Sequence, residues 1–309
     1  MKSKFVPPKN LLIGIVGNIA KPSTCETACA LIGILEERKI KFTVQHEIAA
    51  QMKTKCNYDA GKSSMQYSEI ASCSDIIVSL GGDGTILRTA KLVGGSGKPI
   101  LGINLGKLGF LAELNFDELR NSIDELFKGK FNLEERATLQ ASFEKDGKSS
   151  TIFALNDIVI DKAGSSRMID LETYVDSEYL ITYRADGIVI STPTGSTGYS
   201  LSTGGPIISP ESRVIAISPI SPHTLTARPV IVPDDSEIRI VVRSASQPMG
   251  EKQIMVSADG QTSQVLTQPA ELKVSLAPYR IKLLRKSKNG FFNLLRTKLM
   301  WGVDIRADQ

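Results

Sequence analysis

Histidine is nearly absent from this 309-residue chain, which holds only His46 and His223, and there is a single tryptophan. The four cysteines, Cys25, Cys29, Cys56 and Cys73, form no CxxC pair. With two imidazoles and no paired thiols, no zinc pattern is present. Cysteines this scattered in an enzyme-sized chain read as reduced thiols in a cytosol. No apolar run reaches the ~20 residues of a membrane span. Residues 1–10 carry lysines with no apolar stretch behind them, which excludes a secretory signal. The expectation is a cytoplasmic protein with no membrane partner. A nucleic-acid footprint is also missing. Net charge is only +4 and the pI about 8.7, short of the value above ~9 with clustered Lys and Arg that such binding calls for. The densest basic run, Arg285, Lys286 and Lys288, reads as a solvated linker face. There is no internal repeat and no low-complexity segment.

What is present is enough chain for two domains at roughly 100–200 residues each, and each could bury a core without staples. Leu11–Val16 is a short apolar run ending at Gly17-Asn18, the mark of a buried strand and a turn. Ser23-Thr24-Cys25-Glu26 matches a capping box, and Ala28, Leu31, Ile32 and Leu35 follow at helical spacing. Further strands are expected at Phe42–Gln45, Ile76–Leu80 and Ile100–Ile103, with an amphipathic helix over Asn115–Lys128. Strands alternating with helices imply an open, parallel, Rossmann-like α/β sheet. From about Phe131 strands follow one another with little helix between them. Asp146-Gly147 predicts a hairpin between Leu139–Phe143 and Thr151–Ile160, and Asp176-Ser177 a second. Short strands continue at Gly187–Ser191, Arg213–Ser218, Val230–Val232, Glu237–Val242, Ile254–Ser257 and Glu271–Val274. The expected organisation is an α/β domain over 1–128, an all-β, sandwich-like domain over 129–285, and a helical tail over 286–309 that packs back on the first domain. The aromatic residues of that tail, Phe291, Phe292 and Trp301, read as core.

Two loops carry the chemistry. Gly81-Gly82-Asp83-Gly84-Thr85 follows the Ile76–Leu80 strand and opens a helix. Bare amides and the positive helix end suit a phosphate there, and glycines let it approach. Asp-Gly by itself merely makes a turn. A carboxylate inside a phosphate cradle is repelled unless it has a task, and accepting a proton from an attacking hydroxyl is such a task. The loop is neither a Walker motif nor the Rossmann GxGxxG; Gly102, Gly106 and Gly109 form only a loose cousin of the latter. The second loop runs from Asp186 through Thr192-Pro193-Thr194-Gly195-Ser196-Thr197-Gly198-Tyr199-Ser200. Its hydroxyls and amides suit sugar hydroxyls or phosphates, and Tyr199 offers a flat face for a base or nicotinamide ring. An ordinary polar turn is the plainer reading of the same residues.

With Asn104-Leu105-Gly106-Lys107-Leu108-Gly109-Phe110-Leu111, Asn156-Asp157, His223 through Pro229 and Ser257-Ala258-Asp259-Gly260, these segments stand in the order seen in NAD kinases. The chain resembles that family over roughly residues 75–260. The Gly81–Thr85 signature is shared with diacylglycerol and sphingosine kinases and with phosphofructokinases; the segment from Asp186 to Ser200 is the more specific. The resemblance implies an α/β domain followed by a β-sandwich, with the C-terminal stretch returning to the first. It also implies NAD bound between the domains and a homo-oligomer, dimer or tetramer, whose second subunit often completes the site. Carried over by position, Asp83 would be the general base on the adenosine 2′-hydroxyl of NAD. Gly81, Gly82 and Gly84 would line the phosphate loop. Asn156 and Asp157 would grip ribose hydroxyls, Asp186 would contact the nicotinamide end, and Thr197, Gly198 and Tyr199, with Ser202 nearby, would hold adenine and ribose. Arg88 and Arg228 are candidate cations for phosphates, Arg228 equally a structural ion-pair partner, and His223 is a candidate substrate contact.

Two positions depart from the family pattern. Asp157 replaces the usual Glu and reaches one carbon less; Gly198 replaces the usual Ala. The implied reaction transfers the γ-phosphate of ATP to NAD+, giving NADP+ and ADP. A divalent metal, Mg²⁺, would be delivered with ATP, since no cluster of carboxylates offers it a protein site. The alternatives are a lipid kinase that shares the glycine motif and a non-catalytic NAD(P) sensor.

Overall fold

The structure, a computed structural model, describes residues 2–106, 109–243, 253–286 and 290–299. Lys107, Leu108, Lys288 and Trp301, named above, lie outside them. The chain divides into two units, Met1–Glu135 with Ile281–Gln309, and Arg136–Arg280.

The first unit runs β1 (Lys2–Lys4), β2 (Leu12–Gly17), α1 (Ser23–Glu37), β3 (Lys41–Gln45), α2 (His46–Lys55), β4 (Ser64–Met65), α3 (Tyr67–Cys73), β5 (Ile76–Leu80), α4 (Asp83–Val93), β6 (Ile100–Asn104), β7 (Leu114–Asn115), α5 (Leu119–Phe127) and β8 (Phe131–Arg136). The second runs β9 (Leu139–Lys145), β10 (Lys148–Ala154), β11 (Asp157–Asp161), β12 (Ile169–Val175), β13 (Glu178–Ala185), β14 (Gly187–Ser191), α6 (Tyr199–Ser202), β15 (Val214–Ile220), β16 (Val230–Pro233), β17 (Ile238–Val242), β18 (Gln253–Ala258), β19 (Thr262–Thr267) and β20 (Ala270–Leu276). The chain then returns to the first unit as β21 (Ile281–Lys286) and α7 (Phe291–Leu299).

The first sheet has the order β1-β8-β21-β6-β5-β2-β3-β4. Neighbours from β21 and β6 through β4 pair in parallel, and β1 with β8 antiparallel. β2 and β5 are buried along most of their length, as parallel strands covered on both faces must be. Strand order reverses between β2 and β5, the crevice where open α/β sheets bind ligands. The units divide at 135/136 and 280/281, not at 128 and 285. The reason is pairing: β8 binds β1, and β21 inserts beside β6, so both strands belong to the first sheet.

Local expectations meet two corrections here. Helix α1 begins at Ser23 behind Pro22, and no side chain caps it, so the capping box does not form. Thr24 Oγ1 instead donates to the Asn18 carbonyl at 2.6 Å, holding the turn after β2. The helix expected from Asn115 starts only at Leu119, after β7 and a single 3₁₀ turn. Its Leu119, Ile123 and Leu126 are buried as their spacing requires.

In the second unit two antiparallel six-stranded sheets, β10-β9-β20-β17-β12-β13 and β16-β15-β14-β11-β18-β19, share one apolar core. Strands β9, β12 and β17 alternate buried and half-exposed residues, the pattern of a sandwich sheet. Asp146 and Gly147 both take positive φ, 52° and 71°, in the β9–β10 turn, as a type I′ hairpin requires. Thr151–Ile160 is not one strand: β10 ends at Ala154, and Asp157 begins β11 in the opposite sheet. Leu155 and Asn156 are the crossing between sheets.

Candidate functional site

Asp83 is the first residue of α4, reached from β5 through Gly81 and Gly82. At the strand end Asn18 N–H donates to the Leu80 carbonyl at 3.0 Å, so the turns after β2 and β5 lie together at the switch point. Not every glycine offers an amide to a ligand, because Gly81 N–H is spent on the Ile103 carbonyl at 2.9 Å. Gly81 serves by lacking a side chain, for a Cβ there would lie 2.2 Å from Thr85 Oγ1.

The half-buried Asp83 carboxylate is seated on a second loop. Oδ2 accepts the Phe110 N–H at 2.8 Å and Oδ1 accepts the Leu111 N–H at 3.0 Å. An ionised carboxylate has about four acceptor directions, so each oxygen keeps capacity for a further proton donor. The seat depends on Gly109, where a Cβ would fall 1.7 Å from Asp83 Oδ1.

That loop is itself braced from β21. Arg285 donates to the Phe110 carbonyl at 2.7 Å, to the Ala112 carbonyl at 3.3 Å and to Glu113 Oε2 at 2.8 Å. Glu113 Oε1 accepts the Lys286 N–H at 2.9 Å. Arg285 is only 8% exposed, so the basic run read as a solvated face contributes a buried ion pair. Acceptors of this kind offset the cost of burying a guanidinium, while Arg285 Nε is left without a hydrogen-bond partner among the described residues, 3.9 Å from Glu134 Oε2.

Next to the switch point a cleft of about 440 Å³ is lined by Ser23, Glu26 and Thr27 of α1, by Asn104, Leu105 and Gly106, and by Asn115, Phe116 and Asp117. That is the scale of a small-molecule pocket. Asn104 Oδ1 is buried with no hydrogen-bond partner among the described residues. Lys21 Nζ stands 3.5 Å from where a Gly106 Cβ would lie, a cation that no motif marked. Arg88 is exposed on α4 with its carbonyl held by Tyr67.

In the second unit the ends of three strands meet. Asp157 pairs with Ser191 across β11 and β14, and Ile158 with Ala258 across β11 and β18. Asp259, at φ 53°, accepts the N–H groups of Leu155, Asn156 and Asp157 at 2.9, 2.7 and 3.2 Å. Three amide bonds thus fix the crossing where Asn156 and Asp157 sit. Asn156 Oδ1 is buried and unpaired, and the Asp157 carboxyl has no hydrogen-bond partner among the described residues. Burial, and then the neighbouring Asp259 charge, push Asp157 up to about 7. A Cβ on Gly198 would lie 3.2 Å from the Gly195 carbonyl oxygen, 3.6 Å from Asn156 Nδ2 and 3.8 Å from Asp157 Oδ2, so this position borders that pair directly.

The hydroxyl-rich loop divides into builders and exposed groups. Thr192 Oγ1 donates to the Leu155 carbonyl at 2.7 Å and accepts the Gly195 N–H at 3.1 Å. Ser196 Oγ donates to the Pro193 carbonyl and accepts the Ile208 N–H. Most of the hydroxyls that suggested a ligand therefore hold the loop itself. Gly195 lets it close on Asn156, whose carbonyl oxygen would be 2.2 Å from a Cβ. Thr197 and Gly198 are half-buried, and Tyr199 and Ser202 exposed.

Asp186, His223 and Arg228 are not brought to that end. Gly187 pairs with Asp161 and Ile220, so Asp186 and the loop after Ile220 sit at the opposite end of β14. Five residues of strand separate the two groups by roughly 17 Å. Lys162 Nζ donates to Asp186 Oδ1 at 2.7 Å. His223 is exposed and donates its backbone N–H to the Arg184 carbonyl. Arg228 Nη1 donates to the Leu225 and Ala227 carbonyls, holding its own loop, and forms no ion pair among the described residues.

A parallel sheet with a glycine-aspartate loop at its switch point, followed by an antiparallel sandwich, defines a nucleotide-handling class of protein. Residues 13–131 match the ATP-NAD kinase N-terminal domain and residues 155–286 the ATP-NAD kinase C-terminal domain. An NAD kinase of Moorella thermoacetica is 40% identical over 297 residues, 96% of this chain and 92% of that protein. One of Bacteroides fragilis is 39% identical over 293 residues, 95% of this chain and 99% of that protein. The crystal structure of yeast NADH kinase complexed with NADH superposes with TM-score 0.86 at 27% identity, covering 99% of this chain and 95% of that one. An Archaeoglobus fulgidus NAD kinase in complex with ATP shares the fold, with TM-score 0.72 at 23% identity, covering 94% of this chain and 99% of that one. The chain belongs to the ATP-NAD kinase family.

Proposed function

We propose that this protein transfers the γ-phosphoryl group of ATP to the adenosine 2′-hydroxyl of NAD+, giving NADP+ and ADP. The observation that carries the reading is the Asp83 carboxylate, seated on the Phe110 and Leu111 amides at the switch point of the parallel sheet. Family membership supplies the substrates.

In this mechanism Asp83 accepts the 2′-hydroxyl proton as that oxygen attacks the γ-phosphorus in line, and the β–γ bridging oxygen departs with ADP. Positioning and charge stabilisation supply most of the rate in phosphoryl transfer. The half-buried carboxylate is fixed before substrate arrives, so little reorganisation remains for the reaction itself. Asn156 and Asp157 take the ribose hydroxyls, and the unpaired Asn156 Oδ1 is the acceptor such a hydroxyl needs. Thr197, Gly198, Tyr199 and Ser202 flank the adenine and ribose. Gly82 and Gly84 lie along the phosphates, with Lys21 and Arg88 as candidate cations for them. A divalent ion, Mg²⁺, arriving with ATP and held mainly by nucleotide oxygens, would neutralise developing phosphate charge, which leaves the free acceptor capacity of Asp83 to the 2′-hydroxyl proton.

We further propose a homo-oligomer, a dimer or a tetramer. Asp186, at the far end of β14 from Asn156, would meet the nicotinamide end of NAD, and a second copy of the chain would complete the site.

The test is NADP formation coupled to an NADP-specific dehydrogenase, with donor and acceptor each varied. The donors are ATP, other nucleoside triphosphates and polyphosphate; the acceptors are NAD+, NADH, a diacylglycerol and a sphingoid base. ATP-dependent NADP formation is expected. Binding of NAD without turnover would favour a sensor, and phosphorylation of the lipid acceptors alone would overturn the reading.

A further inference from the structure

Cys25 and Cys29 stand one turn apart on α1, and Cys56 is the residue immediately after α2. Scattered in sequence, they converge where the two helices pack. The three Sγ atoms all lie within 4.8 Å of one another, and those of Cys25 and Cys56 are 3.2 Å apart. All are free thiols. Cys25 is fully buried, while Cys29 and Cys56 are half-buried at the edge of the core. Among the described residues this is the one group of three metal-capable side chains close enough to share an ion.

We propose that Cys25, Cys29 and Cys56 bind one thiophilic metal ion, Cu(I) held by three thiolates or Zn(II) with water as a fourth ligand. Metal–sulfur bonds of about 2.3 Å put sulfurs on a common ion roughly 3.8–4.0 Å apart. The present spacing reaches that arrangement by small side-chain rotations on two fixed helices. Three thiol protons leave to solvent as three metal–sulfur bonds form. The choice of ion follows from the donors, because thiolates select soft ions and reject Mg²⁺. With three sulfurs and no fourth His, Cys, Asp or Glu ligand in the group among the described residues, the site is open, unlike the closed four-ligand sites of structural zinc. A disulfide between Cys25 and Cys56 would leave the nearby Cys29 unexplained, whereas an ion uses all three. Bound metal would clamp α1 to α2, and the first two turns of α1 supply Ser23, Glu26 and Thr27 to the cleft.

The fourth cysteine supplies the control, since Cys73 is exposed and outside the group. The full chain, kept reduced, is titrated with Cd(II) as a spectroscopic stand-in for Zn(II), and the sulfur-to-metal charge-transfer absorbance is followed. The expected result is saturation at one equivalent per chain, unchanged in Cys73→Ser and lost in Cys29→Ser. Zn(II) should raise the thermal midpoint of the wild-type chain and of Cys73→Ser, and leave that of Cys29→Ser unmoved. Should Cys29→Ser fold poorly by circular dichroism, Cys56→Ser takes its place. No charge-transfer band, a band indifferent to both variants, or one that depends on Cys73 would overturn the proposal.

Discussion

Adding one methyl group at Gly109 tests the proposed mechanism most directly. The Ala Cβ would lie 1.7 Å from Asp83 Oδ1, 2.4 Å from Cγ and 2.7 Å from Oδ2. No rotamer of a methyl group relieves that overlap, so either the carboxylate leaves its seat or the 109–111 loop backs away. Both routes break the bonds at 2.8 and 3.0 Å to Phe110 and Leu111. Each hydrogen bond to a charged group contributes about 1.5–3 kcal/mol, giving roughly 3–6 kcal/mol for the pair. Asp83 is half-exposed, so water recovers part of this, and a stability loss of about 1–3 kcal/mol is expected. The kinetic effect should be larger in proportion, because a displacement of about 1 Å at a reacting group costs on the order of 10²-fold. Gly109→Ala should therefore show kcat for NADP formation down by roughly 10²-fold with Asp83 itself intact. Urea unfolding reads the stability change, the coupled assay the rate, and calorimetric titration with NAD the affinity. Wild-type turnover in a folded Gly109→Ala protein would show that the seat on the amides is irrelevant and would remove the geometric basis of the mechanism.

Asp83→Asn should fold, bind NAD, and lose about 10²–10⁴-fold in turnover, the share of a general base; an active variant rules out that role. Its amide nitrogen would also face one of the two backbone N–H groups, so a modest drop in urea midpoint should accompany the loss. Asp157 makes stability depend on pH. Its folded value, about 7, lies above the ~3.9 of an unfolded chain. The native state therefore holds a proton that the unfolded state gives up, and stability falls as pH rises from about 4 to 7 by up to about 4 kcal/mol. Asp157→Asn should flatten that slope in urea unfolding at pH 5 and pH 8; an unchanged slope assigns it elsewhere. Arg285→Met should cost about 3–5 kcal/mol by stranding the Glu113 charge, with part of the loss recovered when Glu113 is also made Leu. A thermal midpoint within a degree of wild type would mean the pair does not brace the loop.

Much of the local structure was legible because it rests on short-range physics. The apolar runs of β2, β5 and β6, the period of Leu31, Ile32 and Leu35, and the Asp146-Gly147 hairpin each follow from neighbours a few residues apart. The glycine-aspartate loop was readable for the same reason, since strand, turn and helix are contiguous there. Whatever depends on long-range pairing was not legible. Nothing in Arg285-Lys286 reveals that β21 inserts beside β6 and turns a surface-looking arginine into the brace of a loop 175 residues earlier. Nothing in Thr151–Ile160 reveals a change of sheet at Leu155-Asn156, because both halves are equally good strand.

Composition and periodicity thus determined the class of fold, the order of most of its elements and the position of the two glycine-containing loops on which the proposed mechanism rests. Tertiary structure alone decided which groups share a place. It seats Asp83 on the Phe110 and Leu111 amides, holds Asn156 and Asp157 with Asp259, sends Asp186 to the far end of β14, and gathers Cys25, Cys29 and Cys56. The physical reason is that propensity and hydrophobic pattern act along the chain, whereas sheet order and helix packing are settled by burial among residues far apart in it.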